Sequence, residues 1–521
     1  MAHDHDYPEL VFQRSHMPGA EEHSFEDTLR DLMRNSPYLA VSVAVHLLVA
    51  LIFANMDIYD AAPPEELRIE ATPEDMQEII PPEPPPEEEI EEIEEIIEEP
   101  VVSEEQVTEV DEVVDMVTAD ADFDSTGLND VIGVGGGGGG NFGKVGRRRT
   151  KGQAAGSPHL EVVDLGLKWL KFHQDPGGFW SCAAFDDMCG GLGDDVICSG
   201  RGLPMHDVGI TGLALLAFLG AGNTPKEGKY SEQVKNGLKY LADVQQSNGN
   251  FAVETNNMQY TYDHIIATLA MCEAYALSQQ NFLKKPAEKA LRYMYSIRNP
   301  GAAWRYAADH PEMLIKPNDT SVTGWAVMAM TLARDYGLPF EQAALDDAML
   351  FFDEMTDPVN GRTGYTDMGA QPPREEGREE LWPGDLTESL TAVGVLCRIF
   401  ADPELSTPND RAMAEKGVQL MTAITPEWSD SDPGKIDFYY WYYGTYALYQ
   451  YQEVDKKPWD RWEKTLSKAI AETQHKEGEQ AGSWDPQVDP WGHIGGRVYS
   501  TALNVLTMEV WYRYDTVIGS H

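Results

Sequence analysis

Basic residues are scarce in this chain. Its 521 residues hold 39 Lys and Arg against 87 Asp and Glu, a net charge of −48. Phosphate binding needs clustered Lys and Arg, so nucleic acid is excluded as a main partner. The imbalance is uneven: residues 57–130 carry 28 Asp and Glu and a single Arg. Long apolar runs are equally scarce. One stretch, "YLAVSVAVHLLVALIFA" at residues 38–54, approaches the length of a membrane span, at the short end of the range. Cysteine is sparse, with five in all, and three of these fall within 17 residues of one another.

The apolar run is followed at once by an acidic, proline-rich tract that offers no core for a helix to join. An uncleaved anchor over residues 37–56 is therefore expected. The arm before it, residues 1–36, is too long and too acidic for a typical signal peptide. Arg14, Arg30 and Arg34 precede the run and only Arg68 follows closely. The positive-inside rule then places the arm in the cytoplasm and the rest of the chain in the periplasm, on a single-pass inner-membrane anchor. Residues 57–157 read as a disordered linker. "PPEPPPEEEIEEIEEIIEEP" (81–100) is stiffened by proline and extended by charge repulsion, and "GVGGGGGGNFGKVGRRRTKG" (133–152) adds a glycine hinge with local positive charge.

From residue 158 to 515 the sequence repeats. "HDVGITGLALLAFLG" from His206, "YDHIIATLAMCEAYAL" from Tyr262, "NDTSVTGWAVMAMTLA" from Asn318 and "GDLTESLTAVGVLCRI" from Gly384 each carry an Asp near the start and an Ala seven residues later. Two further copies begin at Tyr440 and Arg497. The period is about 56 residues, except for the interval of 66 between the third and fourth copies. These segments are apolar nearly all round and read as buried helices. Amphipathic stretches lie between them, most ending in a Gly-, Asn- or Pro-rich turn followed by an aromatic residue. Six such hairpins close into a double-walled ring, so the expected fold is an all-α (α/α)6 toroid.

"KWLKFHQDPGGFW" (168–180) resembles the QW-type repeat of squalene cyclases and protein prenyltransferases, with "KYLADVQQSNGNF" (239–251) a weaker copy. "GGRVYSTALNVLTMEVWYRY" (495–514) closes the array in the style of prenyltransferase/squalene-oxidase-repeat proteins. The resemblance implies a terpenoid-cyclase-like toroid with a central cavity. The family's chemistry is not carried over with it. The DxDD and DDxxD motifs are absent. The "DMC" of Asp187 and Cys189 lies outside an inner helix, and "EGEQ" (477–480) has Glu477 where a thioester protein needs Cys. Within the apolar run, Ser42 and His46 share one helix face. They resemble the SxxxH pattern in the anchor of TonB-type energy transducers, which dock on an ExbB/ExbD-like proton-driven motor. Coupling to such a motor is what this second resemblance implies, although the chain has no recognisable TonB C-terminal domain.

Asp207, Asp263, Asp319 and Asp385 stand at one mouth of the expected ring. They read first as helix caps and second as candidate catalytic or ligand-facing carboxylates. Aromatics crowd the same end, among them Tyr262, Trp304, Trp382, Tyr440 and Trp441, which are candidates for holding a glycan or an apolar ligand. His206 and His264 adjoin two of the carboxylates and read as rim residues rather than bases. Cys182, Cys189 and Cys198 are disulfide candidates in an oxidising compartment. With His173 or His206 they could instead hold zinc, but no Cys-x-x-Cys spacing supports it, so neither metal nor cofactor is expected. The leading expectation is a membrane-anchored envelope protein whose toroid binds a ligand or partner. The alternative is a toroid enzyme acting on a polyprenyl, terpenoid or glycan substrate through the acidic mouth.

Overall fold

The computed structural model describes residues 158–190, 198–252, 259–299, 303–306, 318–429 and 433–513. The expected anchor with Ser42 and His46, and the acidic linker, lie outside the described residues. No helix among those described is long and apolar enough to cross a membrane.

The described residues form twelve α-helices: α1 Pro158–Phe172, α2 Asp207–Gly220, α3 Ser231–Val244, α4 Tyr260–Ser278, α5 Asn281–Ser296, α6 Thr320–Asp335, α7 Gln342–Met355, α8 Ser389–Ala401, α9 Pro408–Ala423, α10 Phe438–Tyr451, α11 Lys456–Ala471 and α12 Gly492–Arg513. The even-numbered helices are the apolar segments of the repeat. Helix α2 buries every residue from Val208 to Gly220. Its amphipathic successor α3 buries only Val234, Gly237, Leu238 and Leu241. The contrast sorts the helices into two layers, because a helix that is apolar all round must be covered on all sides. Each inner helix packs on the next in the order α2, α4, α6, α8, α10, α12, and α12 returns to α2. The ring is closed, as the repeat implied: an (α/α)6 toroid.

Inner helices also carry polar residues in a dry environment, and local bonds satisfy several of them. The hydroxyls of Thr268, Thr323, Thr331 and Thr507 each donate to the carbonyl four residues back, at 2.7, 2.7, 3.0 and 2.7 Å. The outer layer is stitched by the glutamine of the repeat. Gln174 Nε2 donates to the Gly178 carbonyl in its own turn (2.8 Å) and to Gln233 O on α3 (2.9 Å). Gln245 does the same to Gly249 O and Pro286 O on α5, and Gln474 to Gly482 O and Val162 O on α1. The indole N–H of Trp180, Trp304 and Trp484 then donates back to the preceding outer helix, at Leu170 O, Met294 O and Ile470 O.

Candidate functional site: a cavity at the N-terminal mouth of the ring

Because every inner helix follows an outer one, all six inner helices point the same way and their first turns surround one mouth of the ring. A cavity of about 150 Å³ opens there. The volume holds on the order of ten waters. The 3-10 turn ahead of α2 supplies His206 and the early turns of α2 supply Gly209, Ile210 and Leu213; those of α4 supply Tyr262, Asp263 and Ile266. Ser321 and Trp325 come from α6, Ser389 and Leu390 from α8, Tyr439 from α10, and Ile494, Tyr499 and Leu503 from α12. The connecting segments add Tyr306, Tyr365, Pro372, Pro373, Arg374 and Trp491.

Among the described lining residues the cavity has one imidazole and one carboxylate, and they are paired. His206 Nδ1 lies 3.0 and 3.2 Å from the two carboxylate oxygens of Asp263, and both residues are buried. Burial opposes protonation of the imidazole, but the hydrogen bond and charge of Asp263 outweigh it and raise the His206 pKa above its ordinary value. Gly209 makes the approach possible, since a Cβ there would fall 2.3 Å from Asp263 Oδ1.

Facing this pair are hydroxyls. Ser321 Oγ bonds the Tyr262 hydroxyl and, at 2.9 Å, that of Tyr439, linking α4, α6 and α10. Tyr365 bonds Tyr306. Burial pushes the pKa of all four tyrosines well up, so they remain neutral donors and acceptors. The Tyr499 hydroxyl is buried without a hydrogen-bond partner among the described residues. On the remaining wall, Arg374 Nη2 donates to Asp437 Oδ2 at 2.9 Å and its guanidinium lies over Trp491.

The four aspartates do not form a ring of caps. Only Asp319 caps its helix, accepting from the backbone N–H of Ser321 (2.8 Å) and Val322 (2.9 Å). Asp263 falls within the first turn of α4 and faces across to His206. Asp207 turns outward to accept from the Cys182 N–H at 2.7 Å. Asp385 is exposed on a short 3-10 turn ahead of α8. Of the aromatics, Tyr262 lines the cavity, whereas Trp304, Tyr440 and Trp441 are sealed in the wall; the Tyr440 hydroxyl donates to Met421 O and Ile424 O. Trp382 packs under Arg378, donates to Val488 O and is not among the residues that line the cavity. His264 is a wall residue, with Nδ1 accepting from Phe251 N–H and Nε2 donating to Ala290 O. Burial lowers its pKa to about 3. Cys182, Cys189 and Cys198 stand unbridged in the structure.

Two features have no counterpart in the sequence reading. Asp437 is the fifth repeat's aspartate: it caps α10 by accepting from Tyr440 N–H at 2.9 Å, three residues ahead of the start that the repeat pattern indicates. Arg374, Pro372 and Pro373 belong to the segment that makes the third repeat interval 66 residues long. That irregular spacing is the signal that something extra is built there.

No family model and no curated protein matches the chain. Solved structures do. An α-1,6-mannanase, GH76A of Salegentibacter sp. HEL1_6, aligns at 12% identity over 67% of this chain and 98% of its own, with a TM-score of 0.44. The cellobiose 2-epimerase of Bacillus thermoamylovorans B4167 aligns at 14% identity over 70% and 98%, with a TM-score of 0.47. A type II terpene cyclase from Scytonema, in complex with its product merosterolic acid A, aligns at 12% identity over 68% and 96%, with a TM-score of 0.43. Likenesses this distant carry nothing about chemistry, and the fold rests on the closure of the ring.

Proposed function

We propose that the toroid is an enzyme acting on a glycan, with His206 as the proton-transferring group and Asp263 as the residue that holds it. The observation that supports this most is the His206–Asp263 pair opening into a cavity walled by both apolar surface and hydroxyls. An all-hydrocarbon guest would leave the buried Tyr499 hydroxyl, which has no partner among the described residues, and the unused lone pairs of the other hydroxyls without hydrogen bonds, at a cost of roughly 1–3 kcal/mol for each group left unmatched. A sugar ring offers hydroxyls at its edge and C–H bonds on its faces, so it fits the Ser321–Tyr439 edge and the Trp325 and Trp491 walls together. A glycan is therefore favoured over a polyprenyl or terpenoid substrate.

With its pKa raised, His206 holds its proton to higher pH than a free imidazole and can give it to a leaving glycosidic oxygen while the Asp263 carboxylate stabilises the charged imidazole. Water adds its oxygen to the anomeric carbon as that bond breaks, and the proton it loses restores His206. The full-length protein should release reducing ends from a panel of labelled oligosaccharides, peptidoglycan strands among them. His206→Gln and Asp263→Asn should each lower the rate by about 100-fold or more. Activity should fall as pH rises through the His206 pKa, which lies above the ordinary 6.5. Unchanged turnover in either variant would sink the assignment.

A second reading rests on residues 38–54. The apolar run with Ser42 and His46 favours an inner-membrane anchor that holds the toroid in the periplasm on its acidic tether and engages an ExbB/ExbD-like motor. Co-purification of full-length protein with such a motor, lost in His46→Ala, is the expected outcome; retention of the motor by that variant removes the reading.

A further inference from the structure

Outside the cavity, the excursion between α1 and α2 gathers a second group of chemically capable side chains. His173 follows the last turn of α1, Cys189 follows a short 3-10 turn at Phe185–Met188, and Cys198 returns to the same place. His173 Nε2 lies 3.4 Å from Cys189 Sγ and 3.7 Å from Cys198 Sγ. The three ligand atoms all fall within 4.8 Å of one another. His173 and Cys198 are buried and Cys189 half-buried.

We propose that His173, Cys189 and Cys198 bind a zinc ion that fastens this excursion to the ring. The separations suit the metal. Tetrahedral zinc with Zn–S near 2.3 Å and Zn–N near 2.0–2.1 Å sets N···S edges of roughly 3.5 Å and S···S edges of roughly 3.8 Å, and the two N···S distances here bracket the first value. The imidazole is prepared for the role. Its Nδ1 lies 2.8 Å from the Trp169 carbonyl, which fixes that nitrogen as the donor and leaves Nε2 bare toward the two sulfurs. Stacking on Trp169, with ring centroids 3.9 Å apart, holds the ring plane. The Cys198 backbone N–H points at Cys189 Sγ (3.4 Å), a donor suited to a thiolate, while the Cys198 thiol donates to Glu479 O (3.3 Å), a proton it would give up on binding the metal. A disulfide would account for two cysteines close together, but not for an imidazole with one nitrogen tethered and the other aimed between them. Three protein ligands leave the fourth corner to water. The buried Glu479 carboxylate stands beside the group and accepts from Gly190 N–H.

The consequence reaches the cavity. The same excursion donates Leu203 N–H to Ile494 O (2.7 Å) and accepts from Arg497 N–H at Gly200 O (2.9 Å), and Ile494 is cavity wall. Zinc at His173 would hold that wall in place.

The test is the metal content of full-length protein purified without chelator, measured by inductively coupled plasma mass spectrometry. Near-stoichiometric zinc is expected, and Cys189→Ser, Cys198→Ser and His173→Gln should each reduce it at least about tenfold, whereas Cys182→Ser should keep it. Cobalt added to apo-protein should give an intense thiolate-to-cobalt charge-transfer absorption in wild type, which keeps the question decidable even where a variant fails to fold. Metal-free protein with all thiols titratable, or a Cys189–Cys198 disulfide found by mass spectrometry of unreduced peptides, overturns the proposal.

Discussion

Gly209 shows how one missing side chain positions two others. The glycine sits on α2 where any Cβ would fall against Asp263 Oδ1, so the carboxylate can cross from α4 to meet His206. Gly209→Ala should displace Asp263 and lower turnover toward the level of Asp263→Asn, with melting temperature shifted by only a few degrees. Kinetics and thermal denaturation on the same preparation separate the two effects. Asp319 gives a prediction of the opposite kind. Desolvation raises its pKa to about 6 despite the N–H groups that favour its charge. The folded state then binds a proton that the unfolded state has released, so this residue's contribution to stability falls as pH rises from about 4 through about 6. At about 1.4 kcal/mol per pKa unit the change is on the order of 3 kcal/mol. Asn is as good a cap and carries no charge. Asp319→Asn should therefore match wild type near pH 4 and exceed it near pH 7 in urea unfolding.

At the scale of elements, the outer helices depend on turns that only glycine can make. Gly249 and Gly482 both have φ of +103°, and a Cβ would sit 2.3 Å from Lys289 O on α5 and 2.2 Å from Leu165 O on α1. Gly249→Ala or Gly482→Ala should cost about 2–4 kcal/mol, combining a left-handed backbone with a displaced neighbouring helix, as read by chemical denaturation. These turns are visible in the sequence as the Gln-to-aromatic spacing, and all twelve helices are legible from periodicity alone. Direction is not legible. Spacing places Asp207, Asp263, Asp319 and Asp385 in equivalent positions, but helix starts shift by a residue or three between repeats, and one turn of rotation decides whether a carboxylate caps, crosses or faces solvent. Tyr440 and Trp441 belong to the wall and not to the mouth for the same reason: Tyr439, one residue earlier, is the ring that reaches the cavity. The His173 group is obscured differently, because its three ligands are separated by 16 and 9 residues and no short spacing announces them.

For the whole molecule, closure matters more than any one contact. Helix α12 packs on α2, on α10 and on α1, and α11 also reaches α1, so the two ends of the described domain meet along one seam. A ring joined at its ends has no privileged starting point. A circular permutant of the toroid that links residue 513 to residue 158 and opens in the exposed 226–229 turn should retain the wild-type far-ultraviolet spectrum and cooperative melting. Deleting residues 492–513 instead removes the helix that bridges α10 and α2, and should abolish cooperative unfolding altogether.

The concentration of aromatic rings at the mouth has an experimental consequence as well. Tyr262, Tyr306, Tyr365, Tyr439, Tyr499, Trp325 and Trp491 face one small space, where their transitions couple and their surroundings are chiral and dry. Whatever enters must alter the near-ultraviolet circular dichroism and intrinsic emission of this cluster. The protein thus carries an optical gauge of its own occupancy, readable in solution without a label.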